Sequence, residues 1–140
     1  MLEVKIFLKK NLLWLVFIAF AAIGIATRQD SYIFTSESEY GAGKYIVWLV
    51  FLLFFSYSFY CSRKENFYKS IHHISQMYWG RQIIIDLYIG IILPLVIIYL
   101  HGGVYIFLIW IVPILLNANL FTLLYAALNY DSILIHFNLS

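Results

Sequence analysis

The chain has 140 residues, of which 64% are hydrophobic and only 11% are charged. Soluble domains carry about 25% charged residues, so this composition excludes a soluble globular protein and predicts a protein whose solvent is lipid. The single cysteine, Cys61, excludes an internal disulfide and a four-thiolate metal site.

Four apolar runs follow one another along the chain. They cover residues 11–27, 45–61, 83–100 and 104–128. Each is close to the length that crosses a hydrocarbon core of about 30 Å. The runs lack the alternation of apolar and polar residues that membrane barrel strands show. The sequence therefore predicts an all-α fold, a polytopic bundle of four transmembrane helices forming a single transmembrane domain over residues 1–140.

The segments between the runs are short. Met1–Lys10 carries three lysines among apolar residues, and it forms either an interfacial helix or an extension of the first span. The first loop, Arg28–Lys44, has a net negative charge. Two glycines in His101-Gly102-Gly103 permit a tight turn. Pro94 and Pro113 predict kinks in the third and fourth runs.

Basic residues predict the orientation. Lysines cluster in the first ten residues, and the loop 62–82 contains Arg63, Lys64, Lys69 and Arg81. The positive-inside rule places both segments in the cytoplasm, with the first loop and the turn at His101 outside. Four spans would return the C-terminus to the cytoplasm, beside the N-terminus.

The loop 62–82 has a helical pattern of its own. On a helix over residues 65–78, Phe67, Ile71, Ile74 and Tyr78 form one apolar stripe, and Gly80 would end the helix. Such a helix can lie on anionic lipid or dock on a soluble partner. It can also be a solvated connector.

A family resemblance rests on this loop. The residues that carry it are Arg63-Lys64-Glu65, Asn66–Ile71, Ser75 and Gly80-Arg81. With the order of spans around them, they resemble the N-terminal part of ABC-2-type permeases, the membrane subunits of ABC transporters. That family usually has six spans, whereas this sequence predicts four, so the resemblance is to a shortened permease or to its N-terminal part.

The resemblance implies a location, a partner and a site. The location is the cytoplasmic membrane of a bacterium, and the partner is a separate cytoplasmic ATPase. Met1–Lys10 would correspond to the family's interfacial elbow helix. The short helix would couple the two subunits, and its contact residues would be Arg63, Glu65, Phe67, Tyr68, Lys69 and Ile71.

Three polar residues lie within the predicted spans, where polar groups suggest function by default. Asp86 is near the start of the third span, where Arg81 or Lys69 could neutralise it. Asn117 and Asn119 project about 200° apart on a straight helix, so at most one can face a given neighbour. Either asparagine can join helices or line a substrate path.

Covalent chemistry finds little support in the sequence. Gly41-Ala-Gly-Lys44 resembles the end of a phosphate-binding loop. The motif requires a glycine where this chain has Ser38, and a serine or threonine where it has Tyr45. Adjacent helical histidines, such as His72 and His73, point about 100° apart and rarely share a metal ion. We therefore expect no metal, no cofactor, no nucleic-acid binding and no enzymatic activity.

Three functions remain open at this stage. The first is a transport subunit. Because four spans do not easily enclose a path for a substrate, such a subunit would assemble into homo- or hetero-oligomers. The second is a small accessory or immunity-type protein that binds another membrane protein. The third and least favoured, since we expect no enzymatic activity, is an enzyme on lipid substrates that uses His72, His73 and Asp86 at the inner interface.

Overall fold

The computed structural model describes residues 1–139. Within these residues every regular element is a helix, which confirms the all-α class. The six helices are α1 (Leu2–Ala26), α2 (Ala42–Lys64), α3 (Phe67–Ser75), α4 (Tyr78–Gly90), α5 (Ile92–Leu128) and α6 (Tyr130–His136).

Three stretches are long and apolar enough to cross a membrane, namely α1, α2 and residues 78–128. This supports an integral membrane protein. Residues 2–10 continue directly into the first long helix. Of the two predicted alternatives, they therefore extend the first span and do not form a separate elbow helix. The third stretch is interrupted at Ile91. Pro94 explains the interruption, because it has no N–H group to donate to the carbonyl of Gly90.

The third stretch reverses direction at Gly103. The φ of this glycine is 78° and its ψ is −176°, a conformation that is essentially restricted to glycine. The hydroxyl of Tyr88 donates a hydrogen bond of 3.4 Å to the carbonyl of Leu115. On a straight helix these two residues would lie about 40 Å apart. The turn predicted at His101-Gly102-Gly103 is therefore present.

A second reversal occurs at Asn117. Its φ is −136° and its ψ is 51°, outside the helical region. The rings of Trp110 and Tyr125 lie 5.0 Å apart, although 15 helical residues would separate them by about 22 Å. Residues 104–116 and 118–128 thus form two antiparallel arms, which we call the α5 hairpin. The sequence predicted one span over residues 104–128 with a kink at Pro113, whereas the helix breaks four residues later, at Asn117.

The hairpin returns the chain to the first loop. The side-chain oxygen of Asn129 accepts a hydrogen bond of 2.7 Å from the backbone N–H of Gln29. The ring nitrogens of His101 hydrogen-bond to the hydroxyls of Tyr125 and Ser132. The first loop, the Gly103 turn and α6 share one end of the bundle, the α6 end. The opposite end, with α3, is the α3 end.

This arrangement corrects the predicted position of the C-terminal segment. An even number of complete spans would place it at the α3 end, with the N-terminus. Because the hairpin turns back at Asn117, α6 lies at the opposite end from α3. The first loop and the His101 turn share one end, as predicted, and the loop 62–82 lies at the other.

The returning arm of the hairpin, residues 118–128, forms the centre of the core. Phe121, Leu124 and Leu128 are almost completely buried on this arm. The ring of Phe121 lies 5.0 Å from that of Phe17 on α1. A Cβ atom at Gly24 would lie 2.8 Å from the ring of Trp110, so this glycine allows the hairpin to pack closely against α1.

A buried ion pair fastens α6 to the first loop. The ammonium of Lys44 lies 2.8 Å from the carboxylate of Asp30, and both side chains are almost inaccessible. Lys44 also donates a hydrogen bond of 2.7 Å to the carbonyl of Tyr32. The two oxygens of Asp30 accept hydrogen bonds from the backbone N–H groups of Asp131 and Ser132, at 3.0 and 2.8 Å. Together, these contacts join the first loop, the start of α2 and α6.

Candidate functional site beneath the hairpin

A cavity of about 580 Å³ lies between the tip of the α5 hairpin and α3. Residues 115–120 form its roof, and Phe67 and Ile71 of α3 form its floor. Its walls come from α1, α2 and α4, and most of the lining is apolar or aromatic. Its volume falls within the range of small-molecule sites, about 300–1,000 Å³. The cavity is therefore large enough for a drug-sized ligand.

Both predicted asparagines of the last apolar run line this cavity. The side-chain nitrogen of Asn117 is buried and has no hydrogen-bond partner within residues 1–139. The expectation that Asn117 and Asn119 face different neighbours assumed a straight helix. Because the helix breaks at Asn117, both residues line the same cavity. The tip thus places two polar residues at the roof, with the side-chain nitrogen of Asn117 covered by protein.

The predicted short helix is present as α3, with narrower bounds than the predicted 65–78. Its first turn is capped by Asn66, whose side-chain oxygen accepts a hydrogen bond of 3.1 Å from the N–H of Lys69. Phe67 and Ile71 line the cavity. Tyr68, with 61% of its surface exposed, is not among the lining residues. Two of the proposed partner-binding residues therefore belong to the cavity floor.

Gly80 does not end α3 as predicted, because α3 stops at Ser75 and Gly80 lies inside α4. A Cβ atom at Gly80 would lie 2.0 Å from the backbone oxygen of Ile74. The glycine therefore allows the end of α3 to pack directly against α4. Tyr78, predicted as the last residue of the apolar stripe, begins α4 and is 85% exposed.

The charged residues around the cavity differ in their surroundings. The guanidinium of Arg63 lies 5.6 Å from the centre of the Phe59 ring, and Phe59 is outside the cavity lining. Glu65 is the one charged residue that lines the cavity, and it accepts a hydrogen bond of 3.0 Å from the hydroxyl of Ser70. Within residues 1–139 its carboxylate forms no ion pair with a basic side chain.

Asp86 lies on α4 and is exposed. The expected neutralisation by Arg81 or Lys69 is absent among the described residues. Arg81 instead lies 4.8 Å from the centre of the Tyr78 ring. One turn further along α4, an added Cβ atom at Gly90 would meet nothing within 4 Å. Asp86 and Gly90 thus share an uncovered face of α4.

The two adjacent histidines, His72 and His73, are exposed on α3. In the described part of the chain, no three His, Cys, Asp or Glu side chains are grouped so that they could hold a metal ion.

Sequence reasoning missed several residues of the cavity wall. Trp14, Tyr57 and Tyr88 line it, and the indole N–H of Trp14 donates a hydrogen bond of 2.8 Å to the hydroxyl of Ser62 on α2. In the sequence these aromatic residues look like those that face lipid. A signal did exist for the tip, because Pro113 is followed within six residues by two asparagines.

Comparisons with known proteins found no matching family model, curated protein or solved structure. The resemblance to ABC-2-type permeases therefore stays a prediction, and a function has to be argued from the geometry.

Proposed function

We propose that this chain is the membrane-embedded subunit of a transport assembly and that the cavity beneath the α5 hairpin is its substrate site. The observation that carries the proposal is the helix break at Asn117, positioned over the cavity. Non-helical backbone is tolerated at membrane depth only where it is buried in protein or lines a cavity. Broken helices of this kind form substrate sites near the midplane of many transporters.

The proposed topology has three crossings and one re-entrant hairpin. The crossings are α1, α2 and residues 78–102. Each hairpin arm has at most 13 residues, which is about 20 Å of helix, less than the ~30 Å hydrocarbon core. The hairpin enters from the α6 end and returns there. With the basic loop 62–82 in the cytoplasm, α6 lies outside, on the opposite side from the N-terminus.

Thiol labelling of intact cells tests this topology. In a Cys61→Ser background, we expect a membrane-impermeant maleimide to label Ile135→Cys from outside, because Ile135 is 66% exposed on α6. Lys69→Cys on α3 should react only after permeabilisation. Glu39→Cys in the first loop is the positive control, since it is outside under either topology. If Ile135→Cys reacts only after permeabilisation, the chain has four crossings and the re-entrant hairpin is wrong.

In the proposed assembly, energy comes from a separate ATPase that docks on α3. The face of α3 turned away from the cavity presents Tyr68 and Lys69, and Arg63 lies close by in sequence at the end of α2. The hydrogen bond from Ser70 to Glu65 and the packing at Gly80 hold α3 to α2 and α4. A partner that moves α3 would therefore act directly on the cavity floor.

Co-purification from native membranes in mild detergent tests the coupling. We expect an ATPase subunit with the wild-type chain and a loss of at least tenfold with Tyr68→Asp/Lys69→Asp. The matched control is Tyr32→Asp at the α6 end, whose side chain is also exposed and should not affect recovery. If no ATPase co-purifies with the wild-type chain, the coupling proposal is wrong.

An accessory or immunity-type membrane protein is the second candidate. The observation that favours it is the uncovered face of α4, where Asp86 is exposed without a basic partner among residues 1–139. Ionisable side chains in membrane segments nearly always face protein or water. A second protein or another copy of this chain would cover Asp86 at this face, which also agrees with the expected oligomer.

A further inference from the structure

We propose that the cavity beneath the hairpin binds lipophilic cations, molecules with a delocalised or quaternary positive charge on an apolar body. This inference rests on the proposed function, because it names the substrate class of the same cavity. Three features carry it: the aromatic lining, the single carboxylate in that lining, and the position of the neighbouring basic residues.

The lining favours a large apolar body. Trp14, Phe54, Tyr57, Phe67 and Tyr88 surround the space together with aliphatic residues. Aromatic faces carry negative partial charge, so they attract a cation that is weakly hydrated. A small, strongly hydrated ion would find few polar groups here to replace its water. The lining therefore selects for bulky ligands whose charge is spread over a large surface.

The one charged side chain in the lining of the cavity is negative. Glu65 lies between α2 and α3 and is the one charged side chain of the lining. The adjacent basic residues do not neutralise it, because Arg63 lies over the ring of Phe59 and Lys64 over that of Tyr60. Neither ring lines the cavity. A cation bound beside Glu65 would thus meet a carboxylate that forms no ion pair within residues 1–139.

The rest of the lining favours an apolar body beside the charge. Most of the residues that line the cavity with Glu65 are apolar or aromatic. The preferred ligand is therefore cationic at one end and apolar along its length.

An isosteric pair of ions tests the charge preference directly. The probes are tetraphenylphosphonium and tetraphenylborate, which have nearly the same shape and opposite charges. Binding is measured by equilibrium dialysis of the purified chain in detergent micelles, with protein-free micelles subtracted. We expect saturable phosphonium binding and borate binding at least tenfold weaker, since a carboxylate and aromatic faces act together.

Variants locate the site. Glu65→Gln should weaken phosphonium binding by about tenfold, and it keeps an oxygen that can accept the hydrogen bond from Ser70. Glu37→Gln, an exposed carboxylate at the α6 end, is the matched control and should leave binding unchanged. Ser58→Trp, on the cavity wall, should abolish binding of both probes. Equal binding of the two ions, or Glu65→Gln binding like the wild-type chain, would overturn the inference.

The result separates this inference from the proposed function. The dialysis needs only the isolated chain, whereas the ATPase test needs its partner. Phosphonium binding without a co-purifying ATPase would support the cavity as a ligand site and contradict the coupling to an ATPase. If an ATPase co-purifies and the chain shows no charge preference, the transport subunit is supported and lipophilic cations are not its substrate class.

Discussion

Asp30→Asn is expected to lower the free energy of unfolding by about 3–5 kcal/mol, the usual cost of removing one partner from a buried ion pair. The ammonium of Lys44 would lose its closest anion and keep only the carbonyl of Tyr32 and, at 3.8 Å, the carboxylate of Asp131. The asparagine side chain also offers one acceptor oxygen where two backbone N–H groups, those of Asp131 and Ser132, now bind separate oxygens.

Equilibrium unfolding of the solubilised protein with SDS, followed by tryptophan fluorescence, measures this effect. Glu39→Gln is the matched control, because it makes the same carboxyl-to-amide change in the same loop at an exposed position. We expect the control to stay within about 0.5 kcal/mol of the wild-type chain. If the two variants unfold at the same SDS concentration, the ion pair does not hold α6 to the first loop.

Local signals in the sequence predicted much of the fold. The apolar runs gave the first two long helices because hydropathy follows directly from composition. The short helix after them follows from the helical spacing of Phe67, Ile71 and Ile74. The turn at Gly103 follows from a glycine pair between two apolar runs. In each case, a few neighbouring residues contain the signal.

The hairpin could not be predicted in this way. Residues 104–128 have the length and composition of a complete span, and a hydropathy window does not distinguish a straight helix from a folded one. The fold at Asn117 depends on distant contacts, such as Phe121 against Phe17 and Trp110 against Gly24. The position expected for the C-terminal segment followed from the number of spans, so the reversal at Asn117 changes the end of the bundle at which α6 lies.

The candidate site was predicted only in part, for the same reason. Asn117, Asn119, Phe67 and Ile71 were selected from their residue types, yet their common cavity appears only once the hairpin is folded. Glu65 was expected to contact a partner protein, and its position in the cavity lining depends on how α3 packs against α4. The sequence therefore indicated the chemical groups, and the tertiary fold brings them together.

Gly80→Ala is expected to displace α3 from α4, and with it the floor of the cavity. The new Cβ atom would lie 2.0 Å from the backbone oxygen of Ile74 and 2.7 Å from a methyl group of the same residue. A side chain could rotate away, but a backbone oxygen moves only if the end of α3 moves. Overpacking of this kind costs about 1–3 kcal/mol.

The displacement is measured by the reactivity of a thiol on the cavity floor. In a Cys61→Ser/Ile71→Cys background, we expect Gly80→Ala to raise the rate of maleimide labelling several-fold, because Ile71 lines the cavity. Gly90→Ala is the matched control on the same helix. Its added methyl group meets nothing within 4 Å, so it should leave the rate unchanged and favour the helix by up to about 1 kcal/mol.

The same pair of variants connects α3 to function. If α3 forms both the cavity floor and the surface that binds the ATPase, its displacement in Gly80→Ala should also weaken the recovery of the ATPase and the binding of tetraphenylphosphonium. A Gly80→Ala chain that matches Gly90→Ala in labelling would mean that α3 does not pack against α4. The cavity would then lack a fixed floor, and α3 would be free to bind a partner without affecting the hairpin.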